Sequence, residues 1–148
     1  MDIDEVLKLE NQVCFAVYAC SREITKLYRP ILEEFGLTYT QYVTMLVLWE
    51  QDGITVKELG RRLHLDSGTL TPLLKKLESA GLVTRTRDKA DERNVVITLT
   101  EKGHRMKKDA ATVPGRLFNE TVVDEAEVKA LRDLITRMLA RISPQETE

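Results

Sequence analysis

Cysteine is scarce in this sequence, and long apolar segments are absent. The 148 residues include two cysteines, Cys14 and Cys20, with no Cys-x-x-Cys motif. Two cysteines are too few for the disulfide framework of a small secreted protein. No apolar run approaches the ~18 residues of a membrane span, and the acidic amino terminus lacks the basic start and apolar core of a signal peptide. We therefore expect a cytoplasmic protein with no membrane-spanning segment.

The chain is slightly acidic overall, but its basic residues are concentrated in the middle. Its length fits a single domain, or a compact domain with helical extensions. Residues 54–108 contain 13 Lys and Arg against 7 Asp and Glu, a net charge of +6, whereas residues 1–53 contain 4 against 9 and residues 109–148 contain 5 against 8. Local positive charge of this kind is typical of a phosphate-binding surface, even in an acidic chain.

The basic segment contains an amphipathic stretch over residues 66–80. At about 100° per residue, four leucines fall on one side, and the other side is small, polar and cationic. The polar side carries Thr71, Pro72, Lys75, Lys76 and Ser79, with Thr69 at its edge. Such a face suits a helix in the DNA major groove, where hydroxyl side chains approach base edges and lysines meet phosphates. By itself the pattern fits an ordinary solvated helix equally well.

The preceding residues favour the DNA-binding interpretation. A Thr-x-x-Glu capping box at residues 55–58 predicts a short helix over residues 56–63, and a tight turn then leads into the amphipathic stretch. This is the helix-turn-helix pattern. If the second helix begins at Ser67, Pro72 falls past its first turn, so we expect the cap to lie nearer Thr69 or the helix to be locally irregular.

A β-hairpin is predicted after the helix-turn-helix. Residues 82–87 and 94–98 have period-two character, and the segment between them is almost wholly charged. This hairpin, which we call the wing, has a basic tip whose side chains could reach a DNA backbone or a minor groove; they are Arg85, Arg87, Lys89 and Arg93. A solvated surface hairpin is the alternative.

Helical periodicity dominates both ends of the chain. It predicts a first helix from residue 4 to about residue 28, a break at Pro30, an apolar central helix over residues 41–50, and a long helix after Thr100 that is interrupted at Pro114. The last helix, about residues 124–142, carries an apolar stripe: Leu131, Leu134, Ile135, Met138, Leu139 and Ile142. The first helix or a second subunit would cover this stripe, and a second subunit would also match a palindromic operator.

Several segments carry a family resemblance. Residues 59–65, 67–78, 81–83 and 91–100 resemble the multiple-antibiotic-resistance regulator (MarR) family of winged-helix repressors. Residues 9–15, 21–23 and 37–42, with Tyr28, are similar to its organic hydroperoxide resistance regulators (OhrR). The resemblance implies a homodimer on double-stranded DNA, with recognition helices in successive major grooves, a wing arginine in the minor groove, and release of DNA upon oxidation.

These expectations define a fold and an interface. The fold is mainly α with a small β-hairpin wing: one winged-helix domain over residues 1–148, with a DNA-binding lobe at 38–100 and a helical dimerisation region at 1–35 and 109–148. The residues expected to contact DNA, or to position those that do, are Asp66, Ser67, Thr69, Thr71, Pro72, Lys75, Lys76, Arg85, Arg87, Asp91 and Arg93. The resemblance implies that Asp91 holds Arg93 in place.

The resemblance assigns the sensing thiol to Cys14. The thiolate is the form that attacks a peroxide, giving a sulfenic acid. Because Cys14 lies about three turns into the expected helix, beyond the reach of its dipole, hydrogen-bond donors must come from elsewhere. Tyr28 and Tyr39 match the family pair that contacts the thiol across the dimer interface, and Tyr18 lies one turn beyond Cys14. Apolar neighbours favour hydrophobic organic hydroperoxides. Spacing alone favours a small buried hydrophobe at Cys14, and only the resemblance reverses that preference in favour of a sensor.

No second cysteine is placed to resolve an oxidised Cys14. Cys20 lies six residues on, about 9 Å further along one helix, and the second half of the chain has no cysteine. A sulfenic acid would then be trapped by a low-molecular-weight thiol or by a backbone nitrogen. The sequence thus predicts a one-cysteine sensor.

Two other functions are alternatives to a redox-controlled repressor. A thiol peroxidase lacks support, because His64 and His104 are not spaced as metal ligands or as members of a triad and better fit solvated or capping positions. We therefore expect neither an enzyme nor a cofactor. A MarR-type repressor induced by a small aromatic ligand, without cysteine chemistry, is the second alternative.

Overall fold

The computed structural model describes residues 2–120 and 123–144 and shows a mainly helical fold with one small sheet. The expected fold class, a winged helix-turn-helix with flanking helices, is confirmed. In chain order the elements are α1 (Ile3–Val6), α2 (Val13–Glu33), α3 (Tyr39–Glu50), β1 (Ile54–Thr55), α4 (Val56–Leu63), α5 (Ser67–Ser79), β2 (Val83–Arg87), β3 (Val95–Leu99), α6 (Glu101–Ala110), α7 (Val113–Glu120) and α8 (Glu125–Ile142).

The amino-terminal helix differs from the expectation in where it begins and ends. A short α1 and a 3-10 turn precede α2, because the side-chain amides of Asn11 and Gln12 donate to backbone carbonyls of residues 5–8 and so compete with a continuous helix. The predicted break at Pro30 is also wrong. The helix runs on to Glu33, and the buried Ile31 and Leu32 follow the proline directly, so core packing outweighs one lost hydrogen bond.

Helix α3 is central to the core, as its nearly uniform apolarity predicts. Thr38 and Gln41 form a capping box at its start, two residues before the expected first residue. Met45 and Leu48 are fully buried, although Leu46 is exposed. Near the other end, the indole N–H of Trp49 donates to the carbonyl of Gly103 at 2.9 Å, which joins α3 to α6.

The sheet has three strands rather than the two of a simple hairpin. β2 and β3 pair antiparallel with Val83 opposite Leu99, and β1 pairs with the other side of β3, with Ile54 opposite Ile97. Two residues are too few for a period-two pattern, so β1 has no sequence signal of its own. It attaches the start of α4 to the base of the wing.

Three helices follow the sheet within the described residues. Thr100 caps α6, and the break before α7 falls at residues 111–112, so Pro114 occupies the first turn of α7 rather than the interruption itself. Asp124 caps α8, whose stripe residues Leu131, Leu134 and Ile142 are exposed. No helix within residues 2–120 and 123–144 is long and apolar enough to cross a membrane.

Candidate nucleic-acid interface and thiol site

Helix α5 presents the two faces that its sequence predicts. Its four leucines, Leu70, Leu73, Leu74 and Leu77, are buried, whereas Thr69, Thr71, Pro72, Lys75 and Lys76 are exposed. The expectation that its cap would lie nearer Thr69 is wrong. Asp66 is the cap, and its Oδ1 accepts the backbone N–H of Thr69 at 2.7 Å. Pro72 lies inside the helix because the buried leucines on either side of it hold the helix against the core.

The turn between α4 and α5 contains one residue in the left-handed backbone conformation and a close approach between two backbone segments. His64, one of the two histidines expected to be capping or solvated, is the C-cap of α4 with φ of 53°. The backbone N–H of Leu65 donates to the carbonyl of Gly60 at 3.0 Å. A Cβ on Gly60 would lie 2.6 Å from the Leu65 carbonyl oxygen, so only glycine permits this approach.

A groove of about 1510 Å³ separates the helix-turn-helix from the wing. Ser67 and Thr71 of α5 line one side, and Arg93 of the wing lines the other. The fold therefore brings together, on one concave surface, residues that the sequence separates by more than twenty positions. A concave surface with small polar residues and an exposed arginine is suited to DNA.

The wing arginine and its predicted partner are in direct contact. Arg93 Nε lies 3.0 Å from Asp91 Oδ1, and Nη2 lies 3.0 Å from Oδ2, a bidentate arrangement. Hydrogen bonds from the Arg93 side chain and backbone hold the pKa of Asp91 below its ordinary value. The Arg93 side chain is 90% exposed, so the pair positions it without burying it.

Two other arginines of the wing form hydrogen bonds within the protein. The guanidinium of Arg85 donates to Glu78 Oε1 from both Nε and Nη2, at 3.4 and 3.2 Å. Its backbone N–H donates to Glu78 Oε2 at 3.2 Å, and Arg85 lowers the pKa of this carboxyl. Arg87 Nη1 donates to the carbonyl of Glu92 at 2.8 Å. Through these hydrogen bonds, Arg85 connects the wing to α5, and Arg87 connects the two sides of the hairpin.

Cys14 is the second residue of α2, which corrects its expected depth in a helix. The helix begins at Val13, and its first hydrogen bond runs from the Ala16 N–H to the Gln12 carbonyl. The side chain of Gln12 does not cap the helix. Cys14 is exposed and not in a disulfide. The thiol thus lies in the first turn, where the helix N-terminus carries partial positive charge.

Three tyrosines form a cluster between α2 and α3. The ring centroids of Tyr28 and Tyr39 are 5.0 Å apart, and those of Tyr28 and Tyr42 are 5.8 Å apart. Burial, followed by the neighbouring Tyr39 and Tyr42, raises the pKa of Tyr28 to about 12. Tyr42 was not among the predicted site residues, although its position three residues after Tyr39 on a helix could have indicated a shared face.

The tyrosine cluster does not include Tyr18 or the thiol of the same chain. Fourteen residues of helix separate Cys14 from Tyr28, about 21 Å. Tyr18 lies one turn after Cys14, and its hydroxyl accepts a hydrogen bond from Arg22 at 3.2 Å. Within the described part of the chain, no cluster of three or more His, Cys, Asp and Glu side chains could hold a metal ion.

Comparison with known proteins identifies relatives along most of the chain. A family model described as transcriptional regulator SarA/Rot matches residues 26–110. The organic hydroperoxide resistance transcriptional regulator of Bacillus subtilis is 47% identical over 133 residues, 90% of each chain. The regulator SarZ of Staphylococcus saprophyticus is 51% identical over 120 residues, 80% of this chain and 82% of that one.

Solved structures show the same fold. The structure of reduced AbfR bound to DNA superposes with a TM-score of 0.79 at 35% sequence identity, covering 95% of this chain and 97% of that one. The MepR–DNA complex of Staphylococcus aureus superposes with a TM-score of 0.76 at 25% identity, covering 88% of this chain and 98% of that one. Both of these relatives are bound to DNA in their structures.

Proposed function

Because the chain belongs to the MarR family of winged-helix transcriptional regulators, we propose that it is a repressor whose release from DNA is controlled by oxidation of Cys14 by organic hydroperoxides. As a DNA-binding transcriptional regulator, it is not an enzyme. The observation that carries the redox proposal is an exposed thiol in the first turn of α2, in a chain 47% identical to an organic hydroperoxide resistance regulator. We place its action in the cytoplasm, at the operator.

DNA is bound by a dimer through two copies of the groove between α5 and the wing. The helical ends, residues 1–35 and 109–148, form the dimerisation region, and the exposed stripe of α8 supports this assignment. Residues 38–100 form the DNA-binding lobe. The two α5 helices enter successive major grooves of a palindromic operator, and Arg93, held by Asp91, enters the minor groove.

Oxidation begins with the Cys14 thiolate. Its sulfur attacks the terminal oxygen of the hydroperoxide, so an S–O bond forms and the O–O bond breaks. The alkoxide leaves and takes a proton from water to give the alcohol; the cysteine is oxidised to a sulfenic acid, and the peroxide is reduced. A low-molecular-weight thiol then displaces hydroxide from this sulfur, giving a mixed disulfide and water. The exposed side chains of Val13 and Phe15 favour apolar peroxides.

The tyrosine cluster acts on the thiol across the dimer interface. Tyr28 and Tyr39 are too far along the chain to reach the thiol of their own subunit, so they donate to Cys14 of the partner subunit. Tyr18, one turn after Cys14 in the same subunit, is the third tyrosine proposed to assist; its hydroxyl accepts from Arg22 and keeps its own hydrogen as a donor. Loss of the thiolate then shifts the spacing of the two α5 helices.

The test is a DNA-binding titration before and after one equivalent of cumene hydroperoxide, with and without a small thiol. Wild-type protein should lose affinity at least about tenfold upon oxidation, and Cys14→Ser should bind DNA but not respond. Cys20→Ser, on the same helix, is the matched control and should behave as wild type. Mass spectrometry should show the small thiol attached at Cys14.

Two outcomes would contradict this proposal. Release of DNA by an aromatic ligand in Cys14→Ser, with no response of wild type to hydroperoxide, would favour the ligand-induced repressor. A Cys14–Cys20 interchain disulfide as the main product would contradict the one-cysteine mechanism.

A further inference from the structure

We infer that α5 recognises thymine in the operator through apolar contacts with the C5-methyl group, made by the methyl groups of Thr69 and Thr71 and the ring of Pro72. The inference rests on the proposed entry of α5 into the major groove. It follows from where the hydroxyl hydrogen of Thr71 is already used.

The hydroxyl of Thr71 is bound to its own helix. Its Oγ1 donates to the carbonyl of Ser67 at 2.8 Å. A hydroxyl has one hydrogen, so no donor remains for a base edge. The substituents of Cβ are arranged tetrahedrally. When the hydroxyl of Thr71 is turned towards the backbone, its γ-methyl group therefore points in a different direction. Thr71 is exposed and lines the groove between α5 and the wing.

Thr69 lies beside the helix cap. Its backbone N–H donates to Asp66 Oδ1 at 2.7 Å, and hydrogen bonding by Thr69, the backbone bond first, lowers the pKa of that carboxyl. The side chain of Thr69 is exposed, so its methyl group is available for an apolar contact.

Pro72 completes this part of the face with a third apolar group. It is exposed on α5, its ring has no N–H, and it lies one residue after Thr71 and three after Thr69. Guanine presents two acceptors in the major groove and is read by donors, whereas thymine presents a methyl group. Three side chains that offer methyl and methylene groups, with the hydroxyl hydrogen of Thr71 already used, fit thymine better than guanine.

Hydroxyl oxygens retain lone pairs, so the competing arrangement has Thr71 accepting from an adenine or cytosine amino group. Two substitutions separate the arrangements. Thr71→Val keeps the methyl group and removes the hydroxyl, and Thr71→Ser keeps the hydroxyl and removes the methyl group. Replacing a thymine of the DNA by deoxyuridine removes only the C5-methyl group.

The experiment uses the full-length reduced protein. An operator duplex is first selected from a random library with wild-type protein, and each thymine of one half-site is then replaced in turn by deoxyuridine. At one or more positions, deoxyuridine should weaken wild-type binding about fourfold, the value for one buried methyl group. Thr71→Val should bind the thymine duplex within about twofold of wild type. Thr71→Ser should be weakened about fourfold and should no longer distinguish deoxyuridine from thymine at one position.

The inference is overturned if every deoxyuridine duplex binds wild-type protein as tightly as the thymine duplex, a result that needs no variant to fold. It is also overturned if Thr71→Ser binds normally while Thr71→Val does not, with equal thermal stability of both. The proposed function fails in a different way: wild-type protein selects no DNA, or keeps its affinity after hydroperoxide. Selection of DNA with no methyl dependence therefore removes this inference alone.

Discussion

The carboxylate of Glu78, near the end of α5, holds both the backbone and the guanidinium of Arg85, on the first strand of the wing. The two residues are seven positions apart, and their side chains are 41% and 28% exposed. The contact holds the wing against α5, which carries Thr71. We therefore propose that Arg85 positions the wing and its Arg93 rather than binding DNA itself.

Glu78→Gln should weaken DNA binding about fivefold, although it removes a negative charge from a DNA-binding lobe. Arg85→Gln should have a similar effect, and the double substitution should be no worse than either, because both remove one contact. The measurement is a titration at several salt concentrations. The slope of log affinity against log salt should not change for Arg85→Gln, whereas Arg93→Gln should reduce it by about 1.

Glu92→Gln is the matched control for this prediction. It removes a negative charge from the same wing without touching the contact between Glu78 and Arg85, and so should leave affinity unchanged or raise it. Tighter binding by Glu78→Gln, as by Glu92→Gln, would show that charge alone matters and that Arg85 is free to meet DNA.

Removal of either tyrosine hydroxyl proposed to face the thiol should slow oxidation. Tyr28→Phe and Tyr39→Phe each delete one donor to the thiolate, and the second-order rate with cumene hydroperoxide should fall about tenfold. Tyr42→Phe keeps the ring in the cluster and should react within about twofold of wild type. Rapid-mixing measurement of thiol loss distinguishes these rates; an effect confined to Tyr42→Phe would reassign the donor.

The tyrosine cluster also predicts how stability changes in alkali. Burial and its neighbours raise the pKa of Tyr28 to about 12, above its ordinary value of 10.0, so the folded state holds the neutral phenol more strongly than the unfolded state does. The stabilisation is complete below pH 10 and is lost as the pH rises from 10 to 12. Urea unfolding at a series of pH values should show the advantage of wild type over Tyr28→Phe shrinking across this window; a constant difference would contradict it.

Gly103 should not tolerate a side chain. A Cβ there would lie 2.2 Å from the carbonyl oxygen of Leu82, and the Gly103 carbonyl accepts from Trp49. Gly103→Ala should lower the free energy of unfolding by about 3 kcal/mol. Gly115→Ala, at a helical glycine with nothing within 4 Å of its Cβ, should raise it by about 0.5–1 kcal/mol. Calorimetry that ranked the two variants the other way would contradict the close approach of α6 to Leu82.

Local sequence signals were sufficient for the helix-turn-helix and for the last helix. The cap at Thr55, the leucine spacing of α5 and the apolar stripe of α8 each lie within one helix, and the observed bounds of α4 and α8 agree with the predicted ranges to within one residue. Capping and amphipathic periodicity act over a few residues, so they can be read without knowing the fold.

Other features depended on contacts between distant parts of the chain. The sequence by itself determined that a polar, cationic helix and an arginine-bearing wing are present, and that Cys14 is the thiol to test. Only the tertiary structure decided that Arg85 forms an ion pair with Glu78, that Tyr42 packs against Tyr28, and that β1 pairs with β3. It also showed that Cys14 lies in the first turn of α2 rather than about three turns into a helix. The physical reason is that charge and hydrogen-bonding capacity belong to each residue, whereas packing of the whole chain determines which other residue each side chain contacts.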